Sequence, residues 1–203
     1  MPKRSKKSTI LAMATTLFAN KGFTNTSMTE VASMADIAGA TIFYHFKTKE
    51  DLFVSVLESV KTGIVQEFSL YFQEEQFASG LEMLLGAVAY HLHLASAQRE
   101  WFLLLRRHYT YELAAVNPIC RKYLEDIYTC LVDIFEKALN LGQQDTSIIG
   151  EISTRKTSLI ILAMVDGIIQ LESNNLYNAG ALYGELITAC RRMVENKHFE
   201  KVE

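Results

Sequence analysis

An all-α fold of about nine helices, a three-helix head followed by a larger helical body, is predicted by three observations. Apolar residues recur at three- and four-residue spacing along most of the 203-residue chain, the period of one helix face. Only two prolines and ten glycines punctuate it, too few for many short strands joined by tight turns. Hydrophobic residues make up 49% and charged residues 21%, which supplies a buried core and excludes both a disordered chain and a disulfide-stapled mini-protein.

Segment 9–21 sets Ile10, Leu11, Ala14, Leu17 and Phe18 on one face, the pattern of a helix buried along one side. Gly22 ends it, because glycine takes the left-handed backbone that closes a helix, and Phe23 is placed to fold back on Phe18. A second helix opens at Thr26-Ser27, where Ser27 and Glu30 have the spacing of a capping box; Met28, Val31, Ala32 and Ala35 form its inner face. Asp36-Ile37-Ala38 is too short for anything but a tight turn, and a third helix follows from about Ala38 to His45. Two short helices joined in this way are a helix-turn-helix. On the third, Ala38, Ile42 and Phe46 recur every fourth residue toward the core, Ala40 and Tyr44 point outward, Thr41 and Phe43 flank them, and His45 lies at the border. A fourth helix starts at Lys47 to Glu50, with Thr48 as its N-cap and Asp51 three residues on.

Charge is divided unevenly. Residues 1–52 carry +3 and the remainder −6, within an overall −3. A small basic head on an acidic body points to a polyanion such as DNA as the partner of the head alone. Lys3, Arg4, Lys6 and Lys7 are expected to form a mobile arm that follows phosphates or a narrow minor groove. The third helix offers the groove no Arg, Lys, Asn or Gln, so hydrogen-bonded readout of base edges is expected to be sparse.

The run from Ala35 through Asp36-Ile37-Ala38-Gly39-Ala40-Thr41-Ile42-Phe43-Tyr44-His45-Phe46 to Leu52, with Leu17-Phe18-Ala19-Asn20-Lys21-Gly22-Phe23 to Met28 before it, closely resembles the DNA-binding signature of the TetR (tetracycline-repressor-like) family. It departs at Asp36 and Ala40, where the family often has glycine, and at Ala38, where it often has serine. The resemblance implies that Thr26, Tyr44, His45 and Lys49 hold phosphates while Gly39 to Thr41 face base edges; Ser27, Ala38 and Phe43 complete the DNA-contact candidates. It further implies a homodimeric, ligand-responsive regulator, most commonly a repressor on a palindromic operator that a small-molecule effector releases. Residues 1–52 would then be the DNA-binding domain and 53–203 the ligand-binding and dimerisation domain.

In the body, periodicity predicts helices at 49–72, 77–95, 98–114, 118–141, 153–174 and 179–197, with Asn117-Pro118 a well-formed start. Leu159, Ile160, Ile161, Leu162, Met164, Val165, Ile168, Ile169 and Leu171 wrap nearly around their helix, which must be covered on two sides. A C2 dimer through the last two helices would cover it, with Leu159, Leu162, Asp166, Gly167, Leu182, Leu186 and Met193 as the candidate interface; burial within one chain is the alternative. The Asp166-Gly167 pair also resembles what the family often has in this helix. His91, Trp101, Phe102, Leu105, Arg106, Tyr109, Tyr128 and Phe135 are candidates to line an effector pocket, and each has core packing as its alternative. An inward Arg106 would favour an anionic or carbonyl-bearing effector of apolar bulk.

Other classes fit the sequence less well. Three widely spaced cysteines and no secretory leader suit a reduced cytoplasm, and the most apolar run, Leu159 to Leu171, is interrupted by Asp166 and too short to span a bilayer. His91 and His93, two apart on a helix, point in nearly opposite directions and make a poor metal pair, so no metal or cofactor is expected. An enzyme is disfavoured because no nucleophile-base arrangement or phosphate loop is present. A DNA-binding protein without an effector remains open.

Overall fold

The computed structural model describes residues 5–197, and every regular element among them is helical apart from a single bridge between Ile148 and Glu195. Ten α-helices run in order: α1 Lys6–Lys21, α2 Met28–Met34, α3 Gly39–His45, α4 Lys49–Glu74, α5 Gly80–Ala97, α6 Arg99–Leu105, α7 His108–Val116, α8 Pro118–Gln144, α9 Thr154–Ser173 and α10 Tyr183–Val194, the last preceded by a 3₁₀ turn at Ala179–Leu182. The all-α class is as the sequence predicts; the expected helix over 98–114 is instead two.

Several helix ends have local causes. Ser5 caps α1 by accepting the Ser8 N–H at 3.1 Å, so the helix starts earlier than its apolar pattern. Lys6 and Lys7 therefore stand in its first turn and not in an arm, while Lys3 and Arg4 lie outside the described residues. Gly22 closes α1 with φ of 83°, and the Phe23 ring comes to 5.6 Å from Phe18. Asn117 caps α8, its side-chain oxygen accepting the Ile119 and Cys120 N–H groups at 3.0 Å each.

Packing divides the chain into two units. One holds the residues up to Gln66 with Gln98–Ile127; the other holds Glu67–Ala97 with the residues from Tyr128 onward. The expected boundary after residue 52 has no linker: it falls in the first turn of the 26-residue α4, and α6 and α7 belong with the head helices.

In the first unit the core is Ile10, Phe18, Val31, Ile42, Leu52, Phe53, Phe102 and Leu104, drawn from α1 to α4 and α6. The break between α6 and α7 lies at Arg106-Arg107, where Arg107 adopts extended backbone and Thr110 donates its hydroxyl to the Leu104 carbonyl at 2.8 Å. In the second unit, residues 145–152 fasten three helices together. Asp145 accepts the Gly80 N–H at 2.6 Å and Ser147 the Leu81 N–H at 3.1 Å, capping α5. Ile149 donates to the Val194 carbonyl at 2.9 Å, which holds the end of α10. Gly80 is required by this junction: a Cβ there would lie 2.0 Å from the Gly142 backbone nitrogen.

Candidate nucleic-acid interface

The α2–turn–α3 unit is held from below and bare above. Ile42 and Phe46 anchor α3 in the core, while Ala38, Gly39 and Ala40 at its start are exposed. Phe43 is 55% exposed and Tyr44 85%; Ala40, Phe43 and Tyr44 are three and four residues apart and share a face. Thr41 and His45 are half-buried, the His45 ring edge-on to Tyr44 at 5.1 Å. Asp36, in the turn, takes a φ of 51°, a conformation an aspartate tolerates better than most residues. Thr29, Ala32, Ser33, Asp36, Ile37, Ala38 and Gly39 line a cleft of about 490 Å³ between the two helices.

Ser27 is exposed and caps α2, its hydroxyl oxygen accepting the Glu30 N–H at 3.1 Å. Glu30 itself bonds the Lys21 ammonium, and that hydrogen bond holds its carboxyl below the usual range. Two expected phosphate ligands are turned inward. Thr26 is 2% exposed and donates its hydroxyl to the Gly22 carbonyl at 2.9 Å. Lys49 donates to the Phe23 and Thr26 carbonyls, both at 2.8 Å, with its ammonium 4.3 Å from the centre of the Phe23 ring. Both side chains fix the α1–α2 turn, and two of the three ammonium hydrogens of Lys49 are used in doing so. Lys6, Lys7 and Lys47 remain exposed.

The turn is braced from α6 and α7. Arg107 donates Nε to the Ala19 carbonyl at 2.8 Å and Nη2 to that of Asn20 at 3.0 Å, placing a cation on the free carbonyls at the end of α1. Tyr109 lies parallel on Phe23 with 3.7 Å between ring centres and edge-on to Phe53 at 5.3 Å. Burial, and Glu50 after it, push its phenol up to about 12. Trp101 covers Gly63 so closely that a Cβ on the glycine would lie 2.4 Å from the indole. The sequence pattern does not mark Arg107, Gly63 or the inward role of Lys49, because their partners are distant in sequence.

The candidate effector residues fall in both units. In the first, Phe102 and Leu105 are core, Trp101 packs on Gly63, Tyr109 on Phe23, and Arg106 donates to the Phe102 carbonyl at 3.0 Å. In the second, His91 is buried with its ring 6.1 Å from Phe68 and 6.1 Å from Phe135, while Tyr128 is half-buried on α8. The candidate pairing residues also separate. Leu162 and Leu186 are buried in the subunit's own core, Asp166 and Met193 are half-buried, and Leu159, Gly167 and Leu182 are exposed. Leu159 at 50% and Ile160 at 53%, with Ala163 and Gly167, form one exposed stripe of α9, and nothing lies within 4 Å of where a Gly167 Cβ would be. Among the described residues no helix is long and apolar enough to cross a membrane, and no group of three or more His, Cys, Asp or Glu could hold a metal ion.

A short helix bare on one side, set by a tight turn against a second in a helical chain, defines a helix-turn-helix protein of the DNA-binding kind. Residues 10–56 match the sequence model of the bacterial regulatory proteins, tetR family. The HTH-type transcriptional regulator AcrR of Shigella flexneri is 25% identical over 166 residues, 79% of this chain and 75% of that protein. Among solved structures, a transcriptional regulator from Saccharomonospora viridis in complex with choline superposes with a TM-score of 0.79 at 19% identity, over 94% of this chain and 98% of the other. FadR from Bacillus subtilis in complex with stearoyl-CoA superposes with a TM-score of 0.73 at 20% identity, over 90% of this chain and 96% of the other. Residues 10–56 therefore carry the DNA-binding segment described by the tetR family of bacterial regulatory proteins.

Proposed function

We propose that this regulator is a homodimeric repressor whose two heads bind a palindromic operator and release it when a small molecule binds the body. The observation that carries the reading is the pairing of two bare surfaces: the outward face of α3, and the apolar stripe of Leu159, Ile160, Ala163 and Gly167 on α9. Two apolar side chains half in water invite a cover of their own kind, and glycine lets two helix backbones approach closely. With Leu182 and part of Met193 beside it, this surface joins two copies, and two heads then reach half-sites one helical turn apart, about 34–36 Å, or more.

Within the head, Tyr44, His45, Lys6, Lys7 and Lys47 meet phosphates and Ser27, Gly39 to Thr41 and Phe43 face the groove, whereas Thr26 and Lys49 serve by shaping the turn. Residues 1–52 thus read DNA and 53–203 pair and sense. For the effector we retain His91, Tyr128 and Phe135, on the elements of the second unit, and leave Trp101, Phe102, Leu105, Arg106 and Tyr109 to their packing partners. Relatives crystallised with stearoyl-CoA and with choline support a small-molecule input of this general kind. A coupling of about 1–3 kcal/mol between effector and operator relieves binding by roughly 5- to 150-fold. The test is a gel-shift titration of the full chain against the DNA upstream of its own gene, with light scattering for mass. Two copies per duplex, and release on adding an acyl-CoA or a quaternary amine from a ligand panel, support the reading; a single-chain species that prefers no duplex overturns it.

A further inference from the structure

We infer that the head chooses its operator by thymine methyl groups, with Phe43 as the side chain that sets the preference. The inference rests on the DNA-reading proposal above and deepens it. Sequence is read in the major groove by a small vocabulary: Arg or Lys on guanine, Asn or Gln on adenine, a carboxylate on cytosine, and apolar groups on the thymine methyl. The α3 residues are Gly39, Ala40, Thr41, Ile42, Phe43, Tyr44 and His45, so none of the bidentate side chains is present. Its exposed surface is mostly carbon: the methyls of Ala38 and Ala40, that of Thr41 beside them, and the Phe43 ring.

Two of the neighbouring cations do not fill the gap. Lys21 is paired with Glu30 and Lys49 is drawn to the Phe23 and Thr26 carbonyls, so neither extends a hydrogen-bond donor over α3. Tyr44 and His45 sit at the far end of the helix, edge-on to one another, where the groove gives way to backbone. Phe43 has no such polar task. More than half of its surface meets water although Ile42 beside it is fully buried, and Ala40 is its neighbour one turn back on the same face. A ring and a methyl held together in that way present an apolar pocket edge, and the thymine C5 methyl is the apolar group a major groove displays.

The test starts from a random duplex pool selected on the full-length chain at fixed salt. Each thymine of the winning half-site is then replaced by uracil, which keeps every hydrogen bond and removes the methyl alone. We expect thymines at the positions opposite α3, a loss of about fourfold per critical methyl, and loss of that sensitivity at one position in Phe43→Ala but not in Phe43→Leu. Phe43 is a surface residue, and an unchanged melting temperature in both variants keeps the comparison valid. A half-site whose affinity depends on guanine or adenine and is flat to uracil overturns the inference and leaves the DNA-reading proposal standing. A pool that is not enriched at all overturns that proposal, and this inference with it.

Discussion

At the scale of single residues, two side chains decide how the head is set. Lys49 uses two ammonium hydrogens on the carbonyls of the α1–α2 turn, and its stem and charge lie against Phe23. Lys49→Met keeps the apolar stem and removes the donors, so we expect stability to fall by about 1.5–3 kcal/mol, the range for hydrogen bonds to a charged group. The slope of log affinity against log salt should stay unchanged; a decrease of about one would return Lys49 to the phosphates. Gly63 is fixed by size. An added methyl gains roughly 1 kcal/mol of helix propensity but meets a rigid indole at 2.4 Å. Overpacking of this kind costs about 1–3 kcal/mol, so Gly63→Ala should unfold at lower denaturant, and Trp101→Leu in the same chain should recover part of the loss. The caps at Ser27 and Gly22 were legible in the sequence because each acts within three or four residues. Lys49 was not, since its partners lie 26 and 23 residues away.

At the scale of elements, the same distance rule explains where the helix boundaries departed from expectation. The apolar period runs through 98–114 without a flaw, yet α6 stops at Leu105 and α7 begins at His108. What breaks it is a set of acceptors 88 and 87 residues earlier, the carbonyls of Ala19 and Asn20, to which the Arg107 guanidinium reaches. Arg107→Ala removes those bonds and leaves the end of α1 without its cation. We expect a loss of about 1.5–3 kcal/mol by chemical denaturation, with amide exchange accelerated first in the last turn of α1. Exchange that rises evenly across α1 to α4 instead would assign Arg107 a general role in stability and no particular one at that helix end. On α9 the opposite problem arises. Its pattern announced a helix covered on two sides, but periodicity alone does not say which side is the chain's own core, and Leu162 and Leu186 prove to lie there while Leu159 faces out.

At the scale of the whole molecule, the proposed pairing surface can be tested apart from the fold because Leu159 and Ile160 are half exposed, at 50% and 53%. Replacing both Leu159 and Ile160 by Glu should leave the helical circular dichroism and the melting temperature within a few degrees of the parent. It should convert a two-chain species into a single-chain one in light scattering and reduce operator affinity by at least tenfold. A variant that still ran as two chains would move the interface elsewhere. A last consequence comes from the brace on α1. The groove-reading segment ends its own sequence near residue 52, yet its turn is pinned by Arg107 and Tyr109, which the ribosome makes much later. Anyone splicing these fifty residues onto an unrelated sensor, to build a chimera with a new input, would be transplanting a part without its fastener; the smallest portable cassette has to bring Gln98–Ile127 along.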